Sequence, residues 1–111
     1  MIKDEQIAYL SIHDAEERMH HCLESGAVVA GRHFRQELAN EGISLQDAWI
    51  VLHQGHIYDA PEMNVKTGEW NYRMEGPEPD GKWVAIVFSF KAVDIAFMIT
   101  AFTAKRRREK K

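Results

Sequence analysis

The stretch from Glu69 to Thr103 constrains the fold more than any other part of the chain. It predicts three consecutive antiparallel strands, over Glu69–Gly76, Lys82–Phe90 and Asp94–Thr103. In the first, Trp70, Tyr72 and Met74 alternate with Asn71, Arg73 and Glu75, a period of two that gives one buried and one wet face. The second and third, KWVAIVFSF and DIAFMITAFT, are apolar on both faces, as expected of strands covered on both sides. Arg73 and Thr100 interrupt this apolar pattern. If the strands pair as a meander, both fall on one sheet face, which becomes the candidate working surface.

The first half of the chain reads as helical. Ile12, Ala15, Met19, Cys22 and Leu23 form the apolar stripe of a helix from Ser11 to Ser25, with Ser11 as its cap and Gly26 as its stop. Asp4–Leu10 can extend it backwards. Ala27-Val28-Val29-Ala30 is a short apolar link or an edge strand. A second helix runs from Gly31 to Asn40, with Phe34 and Leu38 on its inner side. A third is capped by Ser44 and ends at Gly55, with Leu45, Ala48, Trp49 and Leu52 as its buried stripe. His56–Asp59 is expected to be the first strand of the sheet. The Pro-Asp-Gly of the Gly76–Gly81 segment marks a turn. Helices first and a meander afterwards make an α+β domain, with helices on one face of a four-stranded antiparallel sheet.

With 45% of its 111 residues hydrophobic, the chain suits one core. No apolar run approaches the roughly 20 residues needed to cross a membrane. The MIKDEQ terminus lacks an apolar signal core. The expectation is a cytoplasmic protein without membrane partners. Cys22 is the single cysteine, so neither an internal disulfide nor a cysteine-built zinc site is expected. Charge is uneven. The tail 105–111 holds six basic residues and one acid, leaving the first 104 residues at about −8. An acidic body disfavours generic nucleic-acid binding, so any polyanion contact is local or uses the tail.

The chemistry-bearing residues are few. None of the six histidines forms a recognised metal motif, and no cofactor loop is present. His33 stands at the start of the second helix, with Glu37 and Glu41 on the same helix face. An imidazole beside carboxylates can act as general acid or base, and the same pattern also describes a solvated polar face. Arg73 either pairs with an acid such as Glu75 or Asp94, or presents its guanidinium fork to phosphate. Thr100 either fills space or hydrogen-bonds a substrate. The tail is either disordered or a clamp on RNA or DNA.

The ordered motifs resemble a family of small bacterial domains of unknown function. They are His33-Phe34-Arg35, Glu41-Gly42-Ile43-Ser44, Leu52 with Gly55, Tyr72-Arg73-Met74-Glu75-Gly76, Ala85-Ile86-Val87 and Ile99-Thr100-Ala101-Phe102. That family is related to the BrnT and RelE type toxins of toxin–antitoxin pairs. The resemblance covers residues 31–104, with 1–30 as an N-terminal helical extension and 105–111 as a basic tail. It implies a RelE-like fold and a metal-independent endoribonuclease that cleaves mRNA, on the ribosome or free, and needs no cofactor. It also implies a partner antitoxin of zinc-finger or helix-turn-helix type. His33, Arg73 and Thr100 match family positions. With Glu37 they form the expected catalytic set, and Arg35, Lys82, Arg106, Arg107 and Arg108 the expected substrate contacts. Glu37 and Glu41 stand where the family often has arginines. The competing expectation is a non-catalytic module that keeps the toxin fold and binds protein or nucleic acid.

Overall fold

The computed structural model describes residues 9–108. Most of the proposed backward extension of the first helix, and the last three residues of the tail, lie outside that range. Helix α1 spans Ile12–Ser25, and the Ser11 hydroxyl accepts the Asp14 amide at its start. Strand β1 (Ala27–Ala30) leads into α2 (Arg32–Glu41). Gly42 ends α2 at φ 71°, a left-handed conformation that glycine adopts without a Cβ clash. The following Ile43 amide then returns to the Leu38 carbonyl, and the Ile43 side chain is buried. Helix α3 (Leu45–Gln54) starts at Ser44, whose hydroxyl accepts the Asp47 amide. The local sequence signals for caps and stops are thus met by the hydrogen bonds they imply.

Strands β2 (His56–Ile57), β3 (Glu62–Met63), β4 (Trp70–Pro77), β5 (Trp83–Ala92) and β6 (Ile95–Thr103) complete the sheet. Its order is β1-β6-β5-β4-β2, with β3 also paired to β4. The sheet is therefore six-stranded and mixed, not four-stranded and antiparallel. The difference comes from β3, which pairs antiparallel to β4 with Glu62 beside Asn71, and from β1, which pairs parallel to β6 from Ala27 beside Ile95 to Ala30 beside Met98. The Ala27 amide donates to the Asp94 carbonyl, and Gly26 lies so close to that carbonyl that a Cβ has no room. A four-residue apolar link is too short to show period-two patterning, and parallel pairing with a strand some 70 residues away leaves no local mark.

One core joins all three helices to one sheet face. Ala15, Met19 and Cys22 from α1, Phe34 and Leu38 from α2, and Ala48, Val51 and Leu52 from α3 pack on Tyr72, Met74, Ile86, Phe88 and Met98. Leu45, expected inside, is 39% exposed, and Val51 takes the inward place. On β6 the register slips by one residue between Thr100 and Met98, and the extra Ile99 lets Met98 and Ala101 both face the core. The same slip fixes which β6 side chains reach the opposite face. No helix among the described residues is long and apolar enough to cross a membrane.

Phe34 is 1% exposed and ties α2 to the core. Phe34→Ala is expected to cost about 3–5 kcal/mol of unfolding free energy. Leu45→Ala, at a half-open position, is expected to stay within about 0.5 kcal/mol. Urea denaturation of the two variants checks both figures.

Candidate functional site

The face of the sheet turned away from the helices carries the polar residues. Arg73 on β4 pairs with Val87 on β5, and Val87 pairs with Thr100 on β6, so Arg73 and Thr100 share one row on that face. At a strand spacing of about 4.8 Å their backbones lie roughly 10 Å apart. The next row along is Glu75, Ala85 and Phe102.

Glu75 is the centre of this face. It is 1% exposed, and three donors from three parts of the chain surround its carboxylate. Arg73 Nε donates to Oε2 at 2.8 Å, Trp83 Nε1 to Oε1 at 2.9 Å, and Arg107 Nε to Oε1 at 3.0 Å. Arg107 also grips Asp59 through both terminal nitrogens, at 2.6 and 3.2 Å. Burial pushes the Glu75 carboxyl up. The Trp83, Arg73 and Arg107 donors outweigh it and hold the group below its ordinary 4.5. Of the two acids weighed for Arg73, Glu75 is the one it meets.

Arginines lie over aromatic rings across the same face. Arg73 is 5.5 Å from the Phe102 centroid, Arg106 5.2 Å from Trp83 and Arg107 5.2 Å from Tyr58. Arg106 also donates to the Gly81 carbonyl, so these two tail arginines lie along the open face. Arg108 is exposed. A row further, Asn71 Oδ1 and Ser89 Oγ are buried without a hydrogen-bond partner.

The other expected site residues sit on α2 and its ends. This helix runs beside β6 in the same direction: Gly31 lies near Phe97, and the Glu41 carboxylate accepts the Thr103 amide at 2.9 Å. That hydrogen bond holds the Glu41 carboxyl below its ordinary 4.5. Glu37 and His33 lie one and two turns before Glu41 on the same helix face. His33 and Glu37 approach to 3.9 Å, and the imidazole is largely exposed. Among the described residues, no hydrogen bond or ion pair links either of them to Arg73 or Thr100. Arg35 turns away and donates to the Ala30 carbonyl. Lys82 Nζ holds the carbonyls of Glu41 and Gly42 at the end of α2.

Sequence reasoning missed Trp83, Tyr58, Asp59 and the central place of Glu75. Glu75 follows Arg73 by two and so shares its face, which was legible. The Trp83 indole and the Tyr58–Asp59 pair reach the site only through tertiary contacts. Among the described residues, two groups bring three potential metal-ligand atoms within 4.8 Å of one another: His13, Asp14 and Glu17 on the exposed side of α1, and Asp47, Glu78 and Asp80. In the second, Glu78 already accepts the Lys82 amide.

A carboxyl whose folded value is depressed stabilises the fold above its ordinary 4.5 and loses that contribution as pH falls through the lower folded value. Wild type is therefore expected to lose thermal stability below about pH 4.5, and Glu75→Gln is expected to flatten that fall while melting lower at neutral pH. Melting curves between neutral and acid pH read both effects.

No curated protein and no solved structure matches the chain. Residues 31–103 match the family described as Domain of unknown function (DUF4258). The match takes in α2, α3, the long antiparallel strands, Arg73, Glu75 and Thr100, and the chain belongs to the DUF4258 family.

Proposed function

We propose that the protein is the toxin-like component of a bacterial type II toxin–antitoxin pair, with a RelE-like fold, acting on RNA in the cytoplasm. The observation that carries this reading is the open sheet face. It sets Arg73 and Thr100 in one row, with Arg73 over Phe102 and, beside them, Arg106 over Trp83 and Arg107 over Tyr58. Single-stranded RNA is held by this combination of cations for phosphate and π faces for bases. The body is acidic, so a local cluster of this kind is what RNA contact requires.

The chemistry proposed is metal-independent transesterification. The 2′-oxygen attacks the neighbouring phosphorus, the P–O5′ bond breaks, and a 2′,3′-cyclic phosphate forms. His33 takes the 2′-hydroxyl proton and returns a proton to the 5′-oxygen, with Glu37 orienting the imidazole. Arg73 stabilises the charge on the phosphorane oxygens, and Thr100 hydrogen-bonds the substrate. Arg106 and Arg107 supply phosphate contacts, and an antitoxin neutralises the enzyme.

A second reading, a non-catalytic module on the same fold, is favoured by one observation. Arg73 and Arg107 already face the Glu75 and Asp59 carboxylates. Purified protein incubated with RNA in EDTA, with and without ribosomes, separates the two. Cleavage is expected to persist in EDTA and to fall about 10²–10³-fold in Arg73→Ala. His33→Ala is expected to lose about 10²–10⁴-fold. Absence of cleavage in every condition selects the non-catalytic module.

A further inference from the structure

The sheet ends at β1, which has β6 as its one neighbour. Backbone groups along a strand point to alternate sides, and the Ala27 amide donates to the Asp94 carbonyl. Ala27 and Val29 therefore bond β6, while the N–H and C=O groups of Val28 and Ala30 point away from the sheet. Arg35 Nε takes the Ala30 carbonyl at 3.0 Å. Among the described residues, the N–H and C=O of Val28 have no partner. Sheet edges are commonly blunted by lysine, proline or a bulge, and the Ala-Val-Val-Ala strand has none of these. Its side chains leave the edge accessible: Val28 and Ala30 pack on the core, and Val29 is 40% exposed on the other face.

Opposite charges flank this edge. Glu24 lies in the last turn of α1, just before β1, and Arg32 opens α2, just after it. Both are exposed, and neither has a hydrogen bond or ion pair among the described residues. Each also stands at the unfavourable end of its helix dipole, a carboxylate near a C-terminus and a guanidinium near an N-terminus. The last turn of α1 holds no basic residue and the first turn of α2 no acidic one, so neither charge is relieved within its own helix. Asp94 adds an exposed carboxylate at the Glu24 end. Arg35 adds an arginine at the Arg32 end, where a groove lined by Ala30, Arg32, Arg35, Gln36 and Ala39 opens.

We infer that β1 is the interface of a two-fold homodimer, pairing antiparallel with β1 of a second copy about Val28. On that axis each Val28 N–H donates to the Val28 carbonyl of the other copy, which uses the free groups of the edge. Val29 comes to lie against Ala27 of the second copy and is covered. Glu24 and Arg32 are each four residues from Val28, so the axis brings Glu24 of one copy to Arg32 of the other, at two equivalent places. The edge is thus complementary to itself in charge and in hydrogen bonding, which favours a second copy over an unrelated strand. The two sheets join into one, and this dimer does not depend on RNA binding.

Sedimentation equilibrium over a range of protein and salt concentrations tests the interface. Wild type is expected to reach twice the 12.8 kDa mass of the chain, with weaker association at high salt. Arg32→Glu and Glu24→Arg, each verified as folded by circular dichroism, are each expected to weaken the dimer about tenfold, because each sets like charges together at both contacts. An equimolar mixture of the two is expected to recover the association, since the mixed pair restores opposite charges at both places. Hydrogen exchange is expected to show the Val28 amide protected in the wild-type dimer and fast in either variant alone. A monomer at every concentration overturns the inference. So does a dimer indifferent to both reversals, a mixture that fails to recover, or a dimer whose Val28 amide stays unprotected. If a variant does not fold, the wild-type mass and the Val28 amide decide.

Discussion

A carboxylate removed from water on a sheet face is tolerated only when its charge and its lone pairs are matched, and Glu75 is matched three times over. Its donors come from its own strand, from the start of β5 and from the basic segment after β6. The match also explains the position of that segment. Arg107 reaches Glu75 and Asp59 together, which fastens residue 107 to elements about 30 and 50 residues earlier in the chain. Removing the carboxylate would leave the Arg73 guanidinium and the Trp83 indole N–H without that acceptor and Arg107 with Asp59 alone.

The same interaction organises the functional face. Salt bridges to Glu75 orient the Arg73 and Arg107 forks, and the rings of Phe102 and Tyr58 support their planes. A guanidinium held on an aromatic ring loses less freedom on meeting a phosphate than one moving in water. An acidic protein can thus present a small, pre-oriented basic surface without being basic overall. Glu75 also limits that surface, because its negative charge partly offsets the arginines it positions. Under the proposed RNA reading, the balance between these effects decides between catalysis and binding alone.

Much of the architecture was legible in the sequence because its signals are local. Ser11, Ser44 and Gly42 act within a turn of their helices, and the alternation through Trp70–Glu75 marks its own two faces. The shared row of Arg73 and Thr100 followed from parity and a meander, and the register bears it out. The parallel β1 and the hub at Glu75 were less accessible, since both depend on partners far away in sequence. Tyr58 and Asp59 meet Arg107 across about 50 residues, and no pattern of spacing announces that contact. His33 and Glu37 stood out as a pair at helical spacing, and the fold sets that pair on α2, alongside the strand of Thr100.

The central claim is that the open sheet face keyed to Glu75 is where RNA binds. Its most direct test is an NMR titration of isotope-labelled protein with short single-stranded RNA. The account predicts that perturbations concentrate on Arg73, Thr100, Phe102 and the Trp83 indole, with the outer face of α1 unaffected. Perturbations confined to α1 or α3, or none at saturating RNA, would contradict it.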